Sequence, residues 1–213
     1  MSSIAVIYES RYGQSAKIAE HIVDRACREG HAVRLVRASL ATRAELDGHD
    51  GYVVVAPVYF GHHAPELERF VRTYRDTLAS RPFALVSVSN SAANPDLGAR
   101  RNAARIAQAL VDDAALPARA VVTAGGAIAY PRYGLFTKLM MRAIAWKTGE
   151  PLDTSRVHER TDWTALDHDL APFFIAFAPA ATAEPDVPQS NDPRLSGIRR
   201  LSTAPRSASF ARR

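Results

Sequence analysis

The first stretch of this sequence able to do chemistry is Ser10-Arg11-Tyr12-Gly13-Gln14-Ser15. Two hydroxyls flank a glycine. Ser10 and Ser15 can donate hydrogen bonds to an anion, and Gly13 lets the backbone turn so that successive N–H groups converge. A helix starting here would add the partial positive charge of its N-terminus. A terminal monophosphate suits these features. The spacings GxxxxGK(S/T) and GxGxxG are both absent, so neither a P-loop nucleotide nor a Rossmann dinucleotide is favoured. The same six residues also read as an ordinary strand-to-helix turn with Ser15 as N-cap.

Two further loops carry suitable groups. Pro57-Val58-Tyr59-Phe60-Gly61-His62-His63 places an aromatic pair beside a glycine, and Ser89-Asn90-Ser91-Ala92-Ala93-Asn94 is small and polar. Tyr59 or Phe60 can stack on a flat heteroaromatic ring while main-chain groups near 89–94 meet its polar edge. Taken singly, Tyr59 and Phe60 also read as packing residues. Phosphate, aromatic and polar loops together describe a site for flavin mononucleotide (FMN). His62 is a candidate base, since an unperturbed imidazole titrates near neutrality. His21, His31, His49, His158 and His168 show no metal-ligand spacing, and no metal is expected. The lone Cys27 excludes a disulfide framework or multi-cysteine zinc site, and is expected to be a small packing residue.

These loops need a scaffold that brings them together. Residues 4–8, 32–36, 52–56, 83–88 and 120–124 are short apolar runs that read as buried strands. Ile18, Ile22, Val23 and Ala26 recur at helical spacing, with Gly30 placed as a C-terminal cap. Leu67, Phe70, Val71, Tyr74 and Leu78 form a second stripe, and Ala103, Ile106, Ala107, Leu110 and Val111 a third. A fourth, Leu166, Leu170 and residues 173–177, follows a start near Asp162-Trp163, and 38–47 reads as a short, weaker helix. Strands alternating with helices predict an open five-stranded parallel sheet with helices on both faces. In such sheets ligands sit at the carboxyl ends of the strands, where all three loops would lie.

The chain has 213 residues and a net charge of +5, with 24 Arg and 3 Lys. This Arg excess reads as compositional, and no nucleic-acid partner is expected. Residues 114–149 carry Arg119, Arg132, Lys138, Arg142 and Lys147 without one acid. Within that block, 133–148 reads as an amphipathic helix ended by Gly149, with Leu135, Phe136, Leu139, Met140, Ala143 and Trp146 on one broad face. It belongs to an insertion of about 127–160 between the fifth strand and the last helix. It is expected either to meet anionic lipid or substrate, or to pack on the domain or a second copy. Residues 178–213 contain five Pro and no amphipathic period, and read as a disordered tail after a domain at 1–177. With no basic, apolar leader at the start, the expected location is cytoplasmic, with peripheral contact on the inner face of the membrane.

At this level the chain resembles the flavodoxin-like superfamily, and within it the menaquinone-dependent protoporphyrinogen IX dehydrogenases. The resemblance rests on the Ser10–Ser15 loop, on Phe60-Gly61-His62, on Tyr130-Pro131-Arg132-Tyr133 and on Thr161-Asp162-Trp163, and it spans about 1–177. It implies an α/β flavodoxin-like fold and non-covalent FMN that takes hydrogen from protoporphyrinogen IX and passes electrons to menaquinone or ubiquinone, in haem synthesis. The implied cofactor contacts are Ser10, Arg11, Tyr12, Gly13, Gln14 and Ser15, then Pro57, Val58, Tyr59, Phe60 and Gly61, then Ser89, Asn90, Ser91 and Asn94. Arg132, Lys138 and Arg142 would meet the substrate's propionates or a membrane. Where family members can carry a second His two residues after the first, this chain has Ala64, with His63 adjacent. Other readings are a flavodoxin-type electron carrier, an NAD(P)H- or quinone-linked flavoprotein without a porphyrin substrate, and a flavin-less α/β scaffold.

Overall fold

The computed structural model describes residues 1–129 and 157–177. The expected helix at 133–148, the basic residues Arg132, Lys138 and Arg142, and the tail at 178–213 lie outside the described residues.

Five parallel strands form the sheet: β1 (Ser3–Tyr8), β2 (Ala32–Arg37), β3 (Gly51–Tyr59), β5 (Phe83–Ser89) and β6 (Ala118–Gly125), in the order β2-β1-β3-β5-β6. A short arm, β4 (His62–His63), pairs antiparallel with the end of β3. The chain direction across the sheet reverses between β1 and β3. That is the order found in flavodoxin, and such a reversal opens a crevice at the carboxyl edge.

Strand periodicity explains why both faces are covered. Alternate residues of β1, β3 and β5 point to opposite sides. Ile4, Val6, Val53, Val55, Ala84 and Val86 pack with α1 (Gln14–Arg28) and the last described helix, here α6 (Trp163–Ile175). Ala5, Ile7, Tyr52, Val54 and Leu85 pack on the other face with α3 (Pro65–Thr73) and α5 (Leu97–Asp113). Each helix contributes the stripe legible in its sequence, such as Ile18, Ile22 and Ala26 of α1.

The helix ends follow from local chemistry. Gly30, at φ 86°, closes α1: its N–H donates to the Cys27 carbonyl and that of His31 to Ala26. Asp162 caps α6 by accepting from the Ala165 N–H.

Several expectations are corrected. Residues 32–36 form the edge strand, where only Val36 is buried and Leu35 is 37% exposed. The second stripe is two helices, α3 and α4 (Arg75–Ala79), broken at Tyr74, whose ψ of 18° leaves the helical region. The weak helix at 38–47 is a 3-10 turn at Ala38–Leu40 and a separate α2 (Arg43–Leu46), which starts with a capping box between Thr42 and Glu45. Cys27 is exposed on α1 and does not pack. Beyond β6 the chain forms β7 (Ala127–Ala129), which pairs antiparallel with β8 (Val157–Glu159). No helix among the described residues is long and apolar enough to cross a membrane.

Candidate functional site at the carboxyl edge of the sheet

The loop after β1 is held from below by Glu9. This carboxylate is 6% exposed. Its Oε1 accepts from the Ser10 N–H at 3.1 Å and from Arg37 Nε at 2.8 Å, and its Oε2 from the Ser39 N–H at 3.2 Å. Burial alone would raise the carboxyl, but the hydrogen bonds from Arg37, Ser39 and Ser10 together outweigh it and hold it below the ordinary range. Glu9 therefore stays ionised while its charge is spent inward, away from the rim.

Above this anchor the loop turns through Gly13. Its φ of 100° is a left-handed conformation that disfavours a side chain. The Gly13 N–H donates to Ser10 Oγ at 3.0 Å, and the Gly13 carbonyl accepts from the Lys17 N–H, starting α1. Gly13 is thus the N-cap, which overturns the alternative reading of Ser15 in that place. Gln14 and Ser15 fall in the first turn, whose backbone N–H groups have no acceptor within the helix. These donors and the helix dipole can receive an anion.

A second wall comes from the hairpin formed by β3 and β4. Tyr59 pairs with His62, and both intervening residues have positive φ: Phe60 at 52° and Gly61 at 85°. This is the geometry of a two-residue hairpin turn whose twist matches that of the strands. Phe60 is 77% exposed at the tip. A bulky residue held left-handed at an exposed rim stores strain. Tyr59 leans back toward the loop after β1. Its hydroxyl accepts from the Arg11 N–H at 3.1 Å, the Arg11 guanidinium lies 5.2 Å above its ring, and Tyr12 meets it edge-on at 5.7 Å. Burial pushes the Tyr59 hydroxyl above its ordinary pKa.

The third wall joins the ends of β5 and β6. Ser89 Oγ accepts from the Ala92 N–H at 3.1 Å, and the Ser89 carbonyl accepts from the Gly126 N–H at 3.0 Å. Gly125 admits the returning chain: a Cβ there would sit 2.2 Å from the Arg160 carbonyl oxygen. Thr161 Oγ1 donates to the Gly125 carbonyl at 2.7 Å and accepts from Gln14 Nε2 at 2.7 Å. Lys17 and Glu159 add an ion pair at 3.0 Å. The first turn of α1 is thereby tied to the end of β6.

Between these walls lies a cleft of about 80 Å³ lined by Ser10, Tyr12, Gln14, Ser15, Pro57, Val58, Tyr59, Ser89 and Asn90 from the expected set, with Val88, Gly126 and Ala127 added. No acidic side chain among the described residues lines it. Arg11 and Gly13 stand behind the lining as loop supports. Phe60, Gly61 and His62 lie at the exposed hairpin tip. Ser91 and Asn94 face the start of α5, where Asn94 Oδ1 accepts from the Asp96 N–H at 2.9 Å. His63 is the inward member of the His pair: it is 5% exposed and its Nε2 lies 3.1 Å from Ser87 Oγ. Sequence reasoning did not single out Thr161, Gly126 or Glu9 as site residues. Thr161 and Gly126 each act through contacts distant in sequence, and Glu9 looks like the end of a strand.

Residues 5–155 match the family model described as a flavodoxin domain. The chain belongs to the flavodoxin domain family. It is 25% identical over 158 residues, 74% of this chain and 87% of the relative, to an Escherichia coli (strain K12) protein named protoporphyrinogen IX dehydrogenase (quinone). A Leishmania major protein of the same name is 26% identical over 146 residues, 68% of this chain and 61% of that one. Among solved structures, oxidised flavodoxin 1 from Bacillus cereus is 16% identical with a TM-score of 0.43, over 59% of this chain and 85% of that one.

Proposed function

We propose that this flavodoxin-domain protein is an FMN-dependent oxidoreductase that oxidises protoporphyrinogen IX to protoporphyrin IX and delivers the electrons to a quinone. The observation that supports the cofactor is the row of N–H donors at the β1–α1 turn, open to a cleft with no acid among its described lining residues, at the sheet's topological reversal. The substrate pair follows the names of the two relatives, the first matched over most of its length.

The residues present fit FMN. Its phosphate would take the N–H groups of the first α1 turn with the hydroxyls of Ser10 and Ser15, and Arg11 supplies positive charge beside the loop. The enclosed 80 Å³ is well below the roughly 300 Å³ of a small-molecule pocket, so the flavin ring would lie along the rim between the Tyr59–Gly61 turn and the Ser89–Asn90 corner. When bound, FMN supplies two-electron redox chemistry. The chain's own residues bind and orient it. Gln14, Thr161 and Gly125 brace the helix that holds the phosphate. Exposed His62 stands at the hairpin, where it can take a proton from a substrate N–H. Arg132, Lys138 and Arg142 are assigned to the propionates or to an anionic membrane surface.

The test is anaerobic. Protein reconstituted with FMN is mixed with protoporphyrinogen IX, and flavin bleaching is followed by reoxidation with a menaquinone analogue. Bleaching with appearance of porphyrin fluorescence is the expected result. Bound flavin that porphyrinogen leaves oxidised would reduce the protein to an electron carrier, and failure to bind FMN at all would remove the whole reading.

A further inference from the structure

A second cavity lies apart from the rim cleft. It is a groove of about 320 Å³ between α3 and α5, closed at one end by the β4 arm. Its size falls at the lower end of small-molecule sites. Val71, Ile106 and Leu110 give it an apolar wall, and Arg72 and Arg105 stand at its mouth together with the carboxylates of Glu68 and Asp113. The mouth cations already have partners: Arg72 pairs with Glu68 at 3.3 Å and Arg105 donates to Asn102 Oδ1 at 2.8 Å. An anion therefore has little to gain here.

The polar group at the closed end is His63, 5% exposed and part of the groove lining. Its Nε2 is engaged with Ser87 Oγ, whereas Nδ1 has no partner among the described residues. Nor is Nδ1 sealed in the core, since the buried side-chain atom left without a partner is His31 Nδ1. His63 meets open space at the groove it lines. In the tautomer in which the Ser87 hydroxyl donates to Nε2, Nδ1 carries the proton and is a donor. Burial pulls His63 down to about 4, so the ring is neutral at pH 7 and makes no demand for an anionic partner. A groove with one apolar wall, charged groups already balanced at its mouth and one neutral N–H donor at its closed end suits a flat, uncharged ring system bearing a carbonyl oxygen.

We infer that the α3–α5 groove is a second ligand site, taking the head group of a quinone with its ring against Val71, Ile106 and Leu110 and one carbonyl accepting from His63 Nδ1. This assignment rests on the reading of the protein as a quinone-linked flavoprotein and places the acceptor apart from the rim. The separation is one hairpin thick. Tyr59 lines the cleft, its register partner His62 lines the groove, and paired strands lie about 4.8 Å apart. Electron donor and acceptor would thus approach the cofactor from different sides.

The test uses the full chain loaded with oxidised FMN and 2-methyl-1,4-naphthoquinone as the probe, without porphyrinogen. The His63 ring resonances, assigned by comparison with His63→Gln, should shift on titration, and Leu110→Trp should weaken quinone binding at least tenfold. Either of two results overturns the site: His63 signals that stay put while quinone binds, or a Leu110→Trp protein whose quinone affinity is unchanged. Quinone that perturbs only the Tyr59 and Asn90 signals would place it at the rim, and also overturns the proposal. If Leu110→Trp does not fold, the wild-type titration still decides. Because no porphyrinogen is present, failure here is separable from failure of the porphyrin assignment.

Discussion

Tyr59→Phe isolates how the hairpin acts on the phosphate loop. The substitution removes the hydroxyl that accepts from the Arg11 N–H at 3.1 Å, while the ring that meets Tyr12 at 5.7 Å and lies under Arg11 is retained. A neutral hydrogen bond contributes about 0.5–1.5 kcal/mol net, and the lower part of that range applies because the bond is exposed and the freed N–H can turn to water. A loss of about 0.5–1 kcal/mol in holding the loop ready for an anion corresponds to about a two- to fivefold weaker dissociation constant. The loss should be confined to ligands that carry the phosphate. Fluorescence titration with FMN and with riboflavin separates the cases: FMN affinity falls by that factor, and riboflavin affinity stays the same. Equal weakening of both flavins would mean that Tyr59 acts on the ring. Unchanged or tighter FMN binding would mean that the contact with Arg11 does not organise the loop.

Other perturbations test the supports. His63 is displaced by burial from an ordinary 6.5 to about 4, so between these values the unfolded chain binds more protons and folding stability rises with pH. Replacing it with Gln should remove about 2 kcal/mol of the stability difference between pH 5 and pH 7, read as urea midpoints, and an unaltered pH slope would refute the assignment. Gly125→Ala drives a Cβ to 2.2 Å from the Arg160 carbonyl. It should destabilise the fold by about 1–3 kcal/mol and detach Gln14 from Thr161, and a wild-type denaturation curve would contradict the close approach. Phe60→Asn relaxes a left-handed residue at φ 52°. A gain of about 1 kcal/mol, or about 2–4 °C in melting temperature, is expected. A lower melting temperature would show that Phe60 stabilises the turn rather than straining it.

The sheet and helices were readable in the residues because each depends on local pattern. Strands of a covered parallel sheet bury both faces, so β1, β3 and β5 read as unbroken apolar runs. Helix stripes and caps, such as the Gly30 turn and the Asp162 cap, lie within a few residues of what they stabilise. The turn that starts α1 was legible for the same reason: Ser10, Gly13 and Ser15 are neighbours, and only the choice of Gly13 as cap awaited the backbone dihedrals.

What the chain alone left open is set by residues far apart in sequence. β2, AVRLVR, was read with the apolar runs of the inner strands, yet it lies at the edge, where Arg34 and Arg37 reach solvent, and the crossovers decide that order. Phe60-Gly61 lacks the Asn or Asp usual in such turns, so the hairpin was hidden; once it forms, the two-residue alternation of a strand sends His62 outward and His63 inward. The contact of Tyr59 with Arg11 spans 48 residues and that of Gln14 with Thr161 spans 147. Residue types and spacings therefore determined the elements and the turn that opens α1, whereas packing in three dimensions decided which walls face that turn, because the free energy that selects these contacts is released only when distant segments exclude water together.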